Sequence, residues 1–299
     1  LITMTDLNNK NIGILSGGWS EERLISLESG KAVYDNLHQE GYTVFLCNLK
    51  KDQSELVDFV QKFSIDIIFN LIHGTGGEDG TIQSWLDSLN INYIGSNSQS
   101  SKLSFSKVMT KQKWLNNGLK TPDYSVTELI EFFEKNNKCI LKPDKSGSSV
   151  GIEIITNKQN LLNFQSSKNV GDYFVEEYIE GSEYTAPIIG DIVYPIIKIE
   201  TKREFYDYQA KYVDEDTSFT FPTFDPDMLK EIELTCLKAF QVLGCKGWGR
   251  VDFFIDKNKD ISLIEVNTIP GMTSHSLVPM SAKKKGLNFT ELIIEILKT

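Results

Sequence analysis

Near the carboxyl end, Arg250-Val251-Asp252-Phe253-Phe254-Ile255 is followed by the polar turn Lys257–Asp260 and then by Ser262-Leu263-Ile264-Glu265-Val266-Asn267. A hairpin closing symmetrically between Asn258 and Lys259 sets Asp252 opposite Glu265 and Arg250 opposite Asn267, all four on one face. Val251, Phe253, Ile255, Ile264 and Val266 make the other face apolar. Like charges in cross-strand register repel, so the carboxylate pair is a cost unless a cation lies between its members. Two carboxylates and an amide oxygen are hard donors that suit Mg²⁺ or Mn²⁺. A solvated hairpin face is the bland alternative.

Three further segments carry chemistry-bearing residues. In Lys142-Pro143-Asp144-Lys145-Ser146-Gly147-Ser148-Ser149-Val150-Gly151 a strand ends in lysine and runs into a Gly/Ser loop. Backbone N–H groups of such a loop can wrap an anion and Lys142 adds a point charge, although an ordinary turn reads the same way. The loop is not of the Walker type, and His73–Gly80 lacks the third glycine of a dinucleotide fingerprint. Gly271-Met272-Thr273-Ser274-His275-Ser276-Leu277 places hydroxyls and flexible backbone directly after the acidic strand. Phe205–Tyr212 is aromatic, polar and turn-prone, suited equally to a lid over a ligand or to a surface meander. With only three histidines, His38, His73 and His275, neither a histidine-built zinc site nor a Ser-His-Asp triad is supported.

These segments need a scaffold, and hydrophobic periodicity outlines one. Asn11–Leu15, Tyr42–Cys47 and Ile65–Ile72 read as buried parallel strands. They alternate with a helix that carries Leu24, Leu27, Val33 or Tyr34, and Leu37, and with another over Thr81–Leu89. That is an α/β lobe to about residue 93, with a crevice at the carboxyl ends of its strands. A second lobe, 94–178, is α+β: helices over Lys107–Asn116 and Glu128–Lys135, strands over Cys139–Lys142 and Val150–Ile155. The third, 179–299, has a strand Asp191–Glu200, a helix Asp227–Leu243, the acidic hairpin and a last helix near Phe289–Leu297. The expected class is α+β with an α/β amino-terminal lobe.

Composition excludes other readings. With 40% hydrophobic and 24% charged residues the chain is globular, and a net charge of −10 repels nucleic-acid backbones and anionic lipid. No apolar run is long enough for a membrane helix and the polar start Leu1–Lys10 has no signal core, so a cytoplasmic location is expected. Cys47, Cys139, Cys236 and Cys245 have no ligand spacing and are assigned to packing.

Taken in order, Gly17–Arg23, His73–Gly80, Lys142–Gly151, Phe205–Tyr212, Gly249–Asp252 and Glu265–Leu277 resemble the motifs of the D-alanine–D-alanine ligase family, within the ATP-grasp superfamily. The resemblance spans nearly the whole chain and implies a three-lobed ATP-grasp architecture. It further implies joining of two D-alanines with ATP, through an acyl phosphate, in peptidoglycan precursor synthesis, by a homodimer with two Mg²⁺ or Mn²⁺ ions. By matching positions, Lys107, Lys142, Ser149, Glu176, Glu177, Ile179 and Glu183 would bind ATP. Asp252, Glu265 and Asn267 would hold the metals. Glu22, Ser148 and Tyr212 would hold and orient the first substrate, while Arg250 and the Gly271 N–H would stabilise the tetrahedral oxyanion. Ser276 and the Leu277 N–H would hold the second carboxylate, with His73, Glu78 and Lys211 lining the site. One departure is visible: the family often has Met-Asp-Lys where this chain has Phe105-Ser106-Lys107.

Overall fold

A computed structural model describes residues 7–147, 150–167, 170–201 and 217–299. Strands β1 (Ile12–Gly17), β2 (Val44–Leu49), β3 (Ile67–Asn70) and β4 (Asn92–Tyr93) form a parallel sheet in the order β2-β1-β3-β4. Every residue of β1 is buried, as an apolar strand inside a parallel sheet should be. Helices α1 (Arg23–Gln39), α2 (Gln53–Phe63) and α3 (Thr81–Ser88) connect the strands. The chain leaves β1 toward β2 on one side and returns as β3 on the other, so the switch point lies between β1 and β3. The residues following these two strands, Gly17–Glu22 and His73–Glu78, therefore face one crevice. Gly17 and Gly18 have φ of 91° and 81°, a left-handed turn that brings the chain sharply into α1.

Helices α4 (Ser98–Phe105) and α5 (Lys107–Leu115) lead into an antiparallel sheet of β5 (Tyr124–Ser125), β6 (Cys139–Pro143), β7 (Glu153–Ile155) and β8 (Tyr173–Glu177), ordered β5-β8-β6-β7. Its own core joins Leu129 and Phe133 of α6 (Leu129–Asn136) and Leu161 and Phe164 of α7 (Lys158–Ser167) to Leu141, Ile155 and Val175.

The third sheet runs β12-β11-β9-β13-β14, from β9 (Gly181–Ile189), β11 (Ile197–Glu200), β12 (Ser218–Thr220), β13 (Trp248–Asp256) and β14 (Ile261–Asn267), with β10 (Ile192–Val193) pairing β9. The segment 191–200, expected as one strand, is split at Tyr194–Ile196, because Pro195 has no N–H to give to a ladder. Helix α8 (Pro226–Val242) starts under the Asp225 cap with Pro226 at its first position and buries Ile232, Cys236, Ala239 and Phe240. Helices α9 (Leu277–Lys285) and α10 (Phe289–Leu297) turn back toward the amino-terminal sheet. Leu292, Ile293 and Ile296 share one core with Ile12, Ile14, Val33, Phe69 and Trp248. Cys139, Cys236 and Cys245 are buried and Cys47 partly so, all as free thiols. Among the described residues no helix is long and apolar enough to cross a membrane.

Candidate active site

The β13–β14 hairpin pairs Asp252 with Glu265 and Arg250 with Asn267, as strand arithmetic requires. Nearer the turn the register shifts, Phe253 pairing with Leu263, so Ile264 is the extra residue of a β-bulge and the symmetric closure assumed from sequence does not hold there. Charge on the acidic face is compensated by neighbours. Arg250 grips Asp252 in a two-point pair, Nε to Oδ1 at 2.9 Å and Nη2 to Oδ2 at 2.9 Å, and Thr185 Oγ1 donates to Asp252 Oδ1 at 2.5 Å. Lys107 Nζ approaches Glu265 Oε2 at 3.3 Å from α5. Asn267 Oδ1 accepts from Ile269 N–H at 3.0 Å. Among the described residues no three His, Cys, Asp or Glu side chains are grouped to hold a metal ion, so the candidate donor set is the two carboxylates with the Asn267 amide.

Toward the central sheet lies a cationic wall. Lys107 Nζ donates to Ser146 O at 2.6 Å, anchoring the loop that follows β6. Glu176 on β8 is almost wholly buried and bridges two lysines, Lys111 at 2.8 Å and Lys142 in close contact. Burial alone would push the Glu176 carboxyl up, yet the two ammonium groups hold it below the ordinary value. Lys111, on α5, also donates to Thr121 Oγ1 at 2.7 Å. Glu177 ends β8, Ile179 follows it and Glu183 lies on β9. Ser148 and Ser149 lie outside the described residues.

The amino-terminal crevice supplies the third side. Glu22 is the N-cap residue of α1, where a carboxylate is favoured by the helix dipole. Its carboxylate lies against the loop after β6, since a Cβ built on Gly147 would come within 2.5 Å of Glu22 Oε2. His73 is buried, with Nδ1 2.9 Å from Ile269 O and Nε2 3.3 Å from Ser29 Oγ. Glu78 Oε1 accepts from Gly74 N–H at 3.1 Å. Burial and the charges of Glu22 and Glu265 raise the Glu78 pKa to about 8, against the opposing Gly74 hydrogen bond and Arg250.

Gly271 packs so closely that a Cβ there would lie 2.7 Å from Ser276 Oγ. Ser276 caps α9 by position, its hydroxyl bonding Thr273 N at 3.0 Å and Thr273 Oγ1 at 2.9 Å, and Leu277 opens the helix. The Leu277 end of α9 is thus a helix N-terminus, favourable to an anion. The whole aromatic stretch Phe205–Tyr212, with Lys211 and Tyr212, lies outside the described residues. Three contributors escaped the sequence reading: Lys111, Thr185 and Ser29. Lys111 had a signal, standing one helical turn after Lys107 on the expected helix; Thr185 and Ser29 had none.

A parallel sheet joined to two antiparallel sheets, with lysines, acids and loops meeting between them, is the arrangement of an ATP-grasp enzyme. The chain superposes on solved structures of D-alanine–D-alanine ligase from Bacillus anthracis, at TM-score 0.84 and 32% identity over 96% of each chain. A structure of that enzyme complexed with ATP gives TM-score 0.83 and 31% identity, covering 96% of this chain and 95% of that one. A D-alanine–D-alanine ligase of Alcanivorax borkumensis is 41% identical over 292 residues, 96% of this chain and 92% of the relative. The family model described as "D-ala D-ala ligase C-terminus" matches residues 109–298, and the corresponding N-terminus model matches 53–96. The chain belongs to the D-alanine–D-alanine ligase family.

Proposed function

We propose that this chain joins two D-alanine molecules to D-alanyl-D-alanine, converting ATP to ADP and phosphate through an acyl phosphate, for peptidoglycan precursor synthesis in the cytosol. We further propose three lobes, 1–93, 94–178 and 179–299, and a homodimer. The observation that carries the reading is the facing pair Asp252 and Glu265, with Arg250 and Lys107 beside it and the Glu22–His73–Glu78 crevice opening onto it.

A carboxylate is a poor electrophile, and phosphorylating it turns an unreactive oxygen into a leaving group. Lys107 and Lys142 would neutralise charge on the nucleotide phosphates, with Ser148 and Ser149 in the loop that covers them. Glu176, Glu177, Ile179 and Glu183 would meet the adenine and ribose, Glu183 accepting from ribose hydroxyls. Asp252, Glu265 and Asn267 are oxygen donors of the kind Mg²⁺ or Mn²⁺ takes, and bound there the ions would neutralise the transferring phosphoryl group. Glu22 would hold the first ammonium, linked through Ser148 to Tyr212, with Lys211 lining the same site. Arg250 and the Gly271 N–H would stabilise the tetrahedral oxyanion formed by attack of the second amine, while Ser276 and the Leu277 N–H hold its carboxylate.

The deciding assay measures phosphate release with ATP and Mg²⁺ across D-alanine, L-alanine and D-lactate, with products identified by mass. D-alanine alone should give a dipeptide; release with D-lactate as the preferred acceptor would replace this reading with an ester-forming one. Glu265→Gln should abolish turnover while leaving the thermal midpoint close to wild type, and a variant with wild-type turnover would remove the metal assignment.

A further inference from the structure

Helix α1 carries, at Ser29, a fully buried hydroxyl outside every role assigned above. Met272 N–H donates to Ser29 Oγ at 3.0 Å, across 243 residues of sequence. Ser29 Oγ stands 3.3 Å from His73 Nε2, and His73 Nδ1 stands 2.9 Å from the Ile269 carbonyl. A carbonyl only accepts, so Nδ1 carries the ring proton and Nε2 accepts from the Ser29 hydroxyl. The hydroxyl is then donor to His73 and acceptor from Met272, and the three bonds run in a single direction. Burial holds the His73 pKa below its ordinary value, favouring the neutral ring that this arrangement requires.

Both ends of this relay land on one short segment, Ile269-Pro270-Gly271-Met272. The Ile269 carbonyl belongs to the peptide before Pro270, and the Met272 N–H to the peptide after Gly271. The Pro270–Gly271 peptide lies between these two pinned planes, and the Pro270 ring fixes one of the torsions leading to it. Ser29 also stands about two helical turns from Glu22, so one rigid helix face addresses both the first-substrate crevice and this segment.

We propose that Ser29 is a positioning residue of the ligase: with His73 it holds residues 269–272 so that the Gly271 N–H is presented to the tetrahedral oxyanion. The inference rests on the reading of Gly271 given under the proposed function. It predicts a defect confined to the second chemical step, because phosphorylation of the first carboxylate does not form that oxyanion.

The test compares wild type with Ser29→Ala in two assays on the same preparation. One follows positional isotope exchange in ATP labelled with ¹⁸O at the β,γ-bridge, in the presence of D-alanine, and reports the phosphorylation step. The other follows dipeptide formation. Their ratio is independent of the folded fraction, since an unfolded molecule contributes to neither. The ratio of dipeptide formation to exchange should fall by about 10- to 100-fold in Ser29→Ala, the range expected when a reacting group is displaced slightly. An unchanged ratio, whether both rates hold or both fall together, overturns the role of Ser29. Wild-type protein that makes no dipeptide at all overturns the ligase reading, and this inference with it.

Discussion

Ser106 shows how a single side chain can take over another's work. It stands where the resembled family often carries an aspartate, and it caps α5 by accepting from Met109 N–H at 3.2 Å. An aspartate would cap equally well. Yet the Ser106 hydroxyl also donates to Asp144, whose two carboxylate oxygens both lie at 2.9 Å, and Asp144 Oδ1 accepts from Val108 N–H at 2.8 Å. Ser106→Asp should therefore be harmful here despite matching the family pattern. Two facing carboxylates replace a hydrogen bond, costing about 1–3 kcal/mol at pH 7 in urea denaturation and raising the KM for ATP through the adjacent Lys107.

Glu78 gives a pH-dependent counterpart. Its folded pKa of about 8 lies above the unfolded value near 4.5, so between these limits the folded state binds more protons and stability falls as pH rises. The slope should reach at most about 1.4 kcal/mol per pH unit. Glu78→Gln should raise the thermal midpoint at pH 8 relative to wild type, with the difference closing toward pH 5. Legibility at this scale follows from distance in sequence. Asp252 and Glu265 could be matched because strand period and a short turn fix their relation. Ser29 and Met272 could not, since only the finished fold joins them.

At the scale of elements, many long amphipathic or uniformly apolar segments are readable, but α2, which buries Leu56, Phe59 and Val60, has no counterpart in the sequence reading, nor do α7 and α9. β1, α8, α10 and the hairpin strands carry clear periods. Strands β8 and β9 mix polar with apolar residues, Glu176 and Glu177 in Tyr173–Glu177 and Ser182, Glu183 and Thr185 in Gly181–Ile189, so neither shows a clean period. β9 is nevertheless central, pairing β13 along its whole length. Helix α4 was missed because Ser-Gln-Ser-Ser has low helix propensity; the Asn97 cap and burial of Ser100, Ser101 and Ser104 against neighbours hold it in place. The bulge at Ile264 depends on how β13 and β14 curve, which no local pattern states. Helix α5 and strand β8 are tied by Lys111 and Glu176, and breaking that buried pair should be costly. Lys111→Met should destabilise by about 3 kcal/mol in urea, toward the lower end for a buried pair because Lys142 still faces Glu176. Lys111→Arg should recover part of the loss.

Across the whole molecule, one core joins the amino-terminal parallel sheet to α10 and β13. Ile293 and Ile296 of α10 pack with Ile12, Ile14 and Phe69, and Trp248 meets Phe69 edge-on with centroids 5.4 Å apart. The central sheet has a separate core. Ile293→Ala should therefore cost about 2–5 kcal/mol. The loss should appear in the unfolding of the amino-terminal sheet as well as the carboxyl-terminal one, readable by hydrogen exchange at β1 and β13. The same feature bears on biosynthesis. A nascent chain emerging from the ribosome can form its parallel sheet early, but part of the core on one side of that sheet stays open until α10 has emerged. The early strands thus wait for a much later helix, and a product lacking Phe289–Leu297 would keep a greasy, half-built surface for chaperones and proteases to sort.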